Sequence, residues 1–71
     1  MLVKMRCVKR YEAKTGEKYA ELRGEVGKAV SIKEKYQNIP LKETGLYLVE
    51  IEAKQKDSQA FLTFNVLAEI G

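Results

Sequence analysis

The feature that most limits this chain is a two-residue alternation of apolar and polar side chains, which recurs along its length and is broken by short turns. Alternation of period two places successive side chains on opposite faces of an extended strand, so it marks half-buried strands. From Leu2 to Tyr11 the odd positions Val3, Met5, Cys7 and Tyr11 are apolar apart from Lys9, while the even positions carry Lys4, Arg6 and Arg10. This predicts a strand with a basic outer face. Lys14-Thr15-Gly16-Glu17 has turn chemistry, because Gly16 takes positive φ at no steric cost, and it predicts a hairpin into a second strand from Lys18 to Val26. There Ala20, Leu22, Gly24 and Val26 share one side, and Tyr19, Glu21, Arg23 and Glu25 the other.

Gly27-Lys28 turns the chain into a third short strand, where Val30 and Ile32 alternate with Ala29, Ser31 and Lys33. The stretch Tyr36 to Leu41 is a connection, since Pro40 lacks an N–H and restricts Ile39 to extended geometry. A short helix is expected within residues 33 to 44. Gly45 precedes a fourth strand, Leu46 to Lys54, and the polar turn 54 to 59 leads into a fifth, Ala60 to Ala68, with Leu62, Phe64 and Val66 on one face. Tyr19, Leu22, Val26 and Val30 also recur at helical spacing. Gly24 and Gly27 argue for strand, as each costs a helix about 1 kcal/mol relative to alanine. Five short antiparallel strands must each bury one face and protect their edges, so the expected fold is all-β, a small five-stranded antiparallel barrel of OB type, with an SH3-like barrel as the alternative.

Length and composition narrow the chemistry. With 71 residues the chain reads as one domain, 1 to 71, whose small core makes association of copies favourable. It has no His and one Cys, so it lacks a histidine-activated nucleophile, an imidazole ligand and a thiolate zinc cage. Cys7 falls on the apolar set of the first strand and reads as a small buried hydrophobe. Glu50 and Glu52 lie two apart on one strand face, but a hard cation needs further oxygens, so no metal or cofactor is expected and no enzyme activity. The N-terminus has no signal-peptide core and no run reaches a membrane span, which places the expected protein in the cytoplasm with no membrane partner.

The net charge is only +3, but its distribution is uneven. Residues 1 to 35 hold 10 Lys+Arg against 5 Asp+Glu, and residues 36 to 71 hold 3 against 5. Lys4, Arg6 and Arg10 fall on one predicted face, Lys9 and Lys14 flank the turn, and Lys18, Arg23, Lys28, Lys33 and Lys35 continue the charge, with Tyr11, Tyr19 and Tyr36 between them. Cations that track phosphates beside aromatic faces that stack bases are the equipment of single-strand binders. The same residues also suit tyrosines capping a small core and lysines keeping it soluble.

The order of features from Lys14 to Ile70 resembles the single-stranded DNA-binding, helix-destabilising proteins of filamentous phages, the gene-five type. A Lys/Gly hairpin tip followed by tyrosine, Lys14-Thr15-Gly16-Glu17-Lys18-Tyr19, precedes a short strand ending in lysine, Ala29-Val30-Ser31-Ile32-Lys33. A proline-containing connection, Gly45-Leu46-Tyr47 and a closing strand Phe61 to Leu67 follow. The resemblance implies an OB-type barrel, a homodimer, and non-enzymatic, cooperative, sequence-tolerant binding of single-stranded DNA, with RNA as a close chemical alternative and phage or mobile-element replication as the setting. It implies phosphate contacts at Lys9, Lys14 and Lys33, stacking at Tyr19, and a closing-strand aromatic, Phe61 or Phe64, near DNA or a dimer contact. With the charge pattern, the expected interface is Arg6, Lys9, Arg10, Lys14, Lys18, Tyr19, Arg23, Lys33, Tyr36 and Phe61. The chain departs from the family in being shorter and in reducing the hairpin after Val26 to Gly27-Lys28. An SH3-like duplex DNA-binding protein and a barrel for protein interaction, using Leu46, Leu48 and Phe61, are the rival functions.

Overall fold

The computed structural model describes residues 1–25 and 27–71. Its strands are β1 (Leu2–Glu12), β2 (Lys18–Arg23), β3 (Val30–Lys33), β4 (Leu46–Lys56) and β5 (Gln59–Glu69), and a single 3-10 turn, Glu34–Tyr36, follows β3. That turn is the short helix expected within residues 33 to 44. All neighbouring strands pair antiparallel in one sheet of order β3-β2-β1-β4-β5. The spatial order β4-β1-β2-β3 is that of a Greek key, with β5 added by a hairpin, the wiring compatible with a small OB-type barrel. The second strand stops at Arg23, short of the expected limit, and Val26 lies outside the described residues. Among the described residues no helix is long and apolar enough to cross a membrane.

The core is the inner face that alternation predicts. Met5 and Cys7 from β1, Ala20 and Leu22 from β2, Ile32 from β3, Tyr47 and Val49 from β4 and Val66 from β5 are buried, with Leu41 brought in from the connection. Full burial of side chains such as Leu22 and Val49 is worth about 1.5–3 kcal/mol each. Tyr47 is also fully buried, and its hydroxyl accepts the Lys42 N–H at 2.8 Å, which satisfies the one polar atom it brings inside. Gly45 makes that seat possible, since a Cβ there would come within 2.7 Å of the Tyr47 hydroxyl oxygen. At the hairpin after β1, Gly16 has φ +88°, the conformation that the turn Lys14 to Glu17 requires.

Two irregularities shape the sheet. On β1, Cys7 pairs with Leu22 and Lys9 with Glu21, leaving Val8 without an opposite residue on β2. Such a bulge shifts which residues face out on either side of it. The second lies on β5, where Leu67 is passed over between Ala68 and Val66.

The sheet is not closed, and between its ends a side chain spans the seam. The Gln37 amide donates to the Phe64 carbonyl at 3.0 Å and accepts from the Val66 N–H at 2.8 Å. A donor and an acceptor that engage residues two apart on one strand reproduce the bonding of a residue in a parallel ladder. Gln37 thus acts as a one-residue substitute for strand pairing. Beyond the core the β4–β5 ribbon continues, with residues 52–62 exposed, and ends in a two-residue turn. Asp57 and Ser58 have φ of 50° and 67°, the paired positive values of a type I′ hairpin turn. The expected polar turn at 54 to 59 is therefore tighter, with its outer residues taken into the strands.

Candidate nucleic-acid interface

The bulge at Val8 builds the site. Before it the even residues Lys4 and Arg6 lie opposite the buried set, and after it the odd residues Lys9 and Tyr11 do. The outer face of β1, β2 and β3 consequently carries three cross-strand rungs: Arg6 with Arg23, Lys9 with Glu21 and Ser31, and Tyr11 with Tyr19 and Lys33. In the last rung the two tyrosine rings stack, with centroids 5.3 Å apart and planes 12° from parallel. The Tyr11 hydroxyl donates to the Ser31 hydroxyl oxygen at 3.1 Å, which fixes that ring across the sheet, and the Lys9 ammonium stands 5.4 Å from the same ring centre. Aromatic pairs of this kind add about 0.5–1.5 kcal/mol beyond area burial. The result is a stiff aromatic ledge with cations on both sides.

Arg10 does not share that face, which corrects the expectation that it lies beside Lys4 and Arg6. It pairs with Ala20 on the inner side, and its guanidinium makes two 2.9 Å bonds to the Glu34 carboxylate, while its backbone N–H bonds Glu43 at 3.1 Å. The hydrogen bond to Glu34, followed by that residue's charge, holds the guanidinium above its usual value. Arg10 ties the 3-10 turn and the connection to β1. Lys18, opposite Glu12, is likewise displaced from the Tyr19 face by alternation. It lines a hollow of about 170 Å³ with Arg10, Tyr11, Glu12 and Glu34.

The other expected residues divide in the same manner. Lys14 is exposed at the hairpin tip, just beyond the tyrosine rung. Arg6 lies on the outer face and its guanidinium donates to the Thr44 carbonyl. Arg23, directly opposite Arg6, makes no ion pair among the described residues. Like charges facing one another across a sheet are destabilising unless something of opposite charge lies over them. Tyr36 projects from the 3-10 turn with 67% of its surface exposed, and Lys33 and Lys35 approach its ring to 5.9 and 5.2 Å. Phe61 lies on the β4–β5 ribbon and the strand pairings do not bring it into the rungs.

Tyr11 and Lys35, which belong to the cation and tyrosine pattern but not to the expected interface, join the site, and Glu17 is a residue that the sequence reading does not single out. Tyr11 was expected among the inward apolar residues, and only the bulge turns it out. Glu17 sits in the hairpin turn with its carboxylate 3.1 Å from Lys35 and 3.9 Å from Lys33, so an internal anion occupies these two cations. Its hydrogen bond, and then its charge, hold the Lys35 ammonium above the ordinary lysine value.

Elsewhere, an open hollow of about 510 Å³ is lined by Met1, Val3, Met5, Gly24 and Ile51 together with Lys4 and Glu25. Glu50 is engaged by the N-terminal ammonium at 3.3 Å, and among the described residues no three metal-ligating side chains converge. No protein-family model, curated protein or solved structure matches this chain.

Proposed function

We propose that this protein binds single-stranded DNA without sequence preference, through the outer face of β1, β2 and β3, and catalyses no reaction there. The observation that carries the reading is the Tyr11–Tyr19 stack on a rigid sheet, with Lys9 and Lys33 beside it and the Arg6–Arg23 rung two steps along the same face. An unpaired base presents a π-face to the tyrosine ledge, and each stacked base contributes about 1–3 kcal/mol whatever its identity. Phosphates passing over Arg6 and Arg23 relieve the repulsion between them, which favours an extended polyanion over a compact ligand. A duplex keeps its bases stacked on one another and gives the tyrosines nothing to hold. The reading agrees with the gene-five resemblance in the hairpin carrying Lys14 and Tyr19, and extends it to Tyr11.

Fluorescence titration with oligo-dT tests the proposal. About four phosphates neutralised per subunit predict a log–log salt slope near −3, from roughly 0.7 per contact on single strands. Absence of binding at low salt, or binding indifferent to salt, overturns it. Competition with duplex DNA of equal length and with an acidic non-nucleic polymer separates the rivals. Equal competition by duplex points to a duplex-binding barrel, and equal retention on the polymer shows charge alone at work. Oligo-U in place of oligo-dT reports whether the ledge distinguishes RNA.

A further inference from the structure

We propose that the free edge of β5 is a self-association surface, on which a second copy of this chain adds its own β5 antiparallel about a twofold axis centred on Phe61. The inference is independent of what the tyrosine ledge binds.

The two edges of the sheet are treated differently. Edge strands are normally blunted by shortness, charge, proline or a covering segment. β3 is four residues long and ends in Lys33, in keeping with that practice. β5 runs for eleven residues, and from Gln59 to Ala68 it contains no charged residue, proline or glycine. Its inner half is covered, because Gln37 takes the Phe64 carbonyl and the Val66 N–H. These two bonds also fix the direction of the remaining backbone groups. Pairing with β4 is regular from Val66 to Gln59, so the groups that point away from β4 recur every second residue, at Ala60 and Leu62. In the described structure those outward N–H and C=O groups meet no protein partner. The side chains around them are apolar and uncovered, Phe61 being 44% and Leu62 58% exposed.

These features favour a second copy over a foreign strand. An antiparallel strand pair is isologous, so one uncharged edge serves both partners and closes at two copies. A register centred on Phe61 lets Ala60 of each copy exchange both backbone bonds with Leu62 of the other, which uses the outward N–H and C=O groups of both residues. It then stops where the Gln37 clip begins. Phe61 meets its own counterpart at a non-hydrogen-bonded position, where side chains approach most closely. In a chain of net charge +3, β5 is the stretch where two identical surfaces meet without opposing like charges. The ribbon also gains cover, since a two-stranded hairpin beyond the core is marginal in water alone.

The test is sedimentation equilibrium of the full chain without nucleic acid, at high micromolar concentration. The wild type is expected at twice its 8.1 kDa mass. Phe61→Lys and Phe61→Glu are each expected to weaken dimerisation at least about tenfold, and an equimolar mixture of the two to restore it. Leu62→Pro, which removes an outward N–H and leaves the β4 ladder intact, is expected to abolish the dimer with the circular dichroism preserved. Concentration-dependent protection of the Ala60 and Leu62 amides in hydrogen exchange checks the same contact in the unmodified chain. A monomeric wild type, a dimer indifferent to both Phe61 variants, open-ended polymers, or amides that exchange freely at every concentration would each overturn the proposal. Loss of the dimer with retained oligo-dT binding leaves the functional reading standing, and the reverse outcome separates them in the other direction.

Discussion

Replacing Gln37 by leucine tests whether one side chain holds the two ends of the sheet together. The substitution keeps a similar side-chain volume and removes both polar atoms, so the change falls on the bonds to Phe64 and Val66. Each intramolecular hydrogen bond contributes about 0.5–1.5 kcal/mol net, and a buried group left unpaired costs about 1–3 kcal/mol. The two partners are not equivalent. Phe64 is half-buried and its carbonyl can recover water, whereas Val66 is only 2% exposed and its N–H cannot do so readily. The expected loss is therefore about 2 kcal/mol, from one stranded donor and one rehydrated acceptor. A domain of this size has about 4–10 kcal/mol in total, so the melting temperature should fall by about 10–15 °C.

Urea and thermal unfolding by circular dichroism measure the loss, and hydrogen exchange at the Val66 amide locates it. Gln37→Glu adds a sign test. A protonated carboxyl can still donate to the Phe64 carbonyl and accept from the Val66 N–H, but a carboxylate sets an anion against that carbonyl. The introduced group's folded pKa is then raised above its unfolded value of about 4.3. Its stabilising contribution is complete below that value and disappears as the pH rises through the folded pKa. The stability difference from wild type should thus be small in acid and grow toward neutrality. A leucine variant within about 0.5 kcal/mol of wild type, or unchanged exchange at Val66, would refute the idea of a side-chain clip.

Other expectations concern the interface and the core. Tyr11→Ala and Tyr19→Ala should each weaken oligo-dT and oligo-dA binding to a similar degree, by about 1–2 kcal/mol in anisotropy titrations, with little change in salt slope. Glu17→Gln should raise affinity for oligo-dT about threefold at low salt, an advantage that fades at high salt, because Lys33 and Lys35 lose their internal anion. The same variant should return the Lys35 ammonium toward the ordinary lysine value in a side-chain NMR titration. At Cys7, burial pushes the thiol above its usual value. Its neutral form is favoured in the fold, so that contribution holds below about pH 8.5 and is lost as the pH rises through the folded value. Cys7→Ala should lower stability at neutral pH through the lost packing yet show a smaller alkaline decline, measured by urea unfolding from pH 7 to 10.

Much of the fold is legible in the alternation because a one-sided core leaves a period-two record in every strand. Met5, Cys7, Ala20, Leu22, Ile32 and Val66 all lie on the apolar side of the alternation read from the sequence. Gly16 announces a turn for reasons that local sterics supply, whereas Gly45 reads only as the residue before a strand and its close approach to Tyr47 appears in the fold. The bulge is harder to read. It leaves Val8 unpaired within a run whose residues suit either register, so Tyr11 scans equally well as a core residue or as a surface aromatic. The Gln37 clip leaves no periodic trace, since one amide in a polar connection looks like solvent-facing loop. Arg10 fails for the converse reason: its charge is evident, and its engagement by Glu34 depends on the chain folding back after β3.

The small core explains why the molecule has surfaces to spare. Among the described residues nine buried apolar side chains gather where the strands overlap, and both the β1–β2 and β4–β5 hairpins run beyond them. A hairpin that outruns its core needs another source of order. The β1–β2 hairpin obtains it locally, from the Tyr11–Tyr19 stack, the Ser31 bond and the lysines held by Glu17. These contacts brace a cationic surface, and under the proposed function a strand of phosphates and bases would meet a site that needs little ordering on binding. The β4–β5 hairpin has a tight I′ turn at its end but no comparable cross-strand lock, and its free edge is uncharged. One bulge, by turning Tyr11 outward, sets the cationic aromatic face proposed for a polyanion on the β1–β2 hairpin, apart from the uncharged edge proposed for self-pairing on β5.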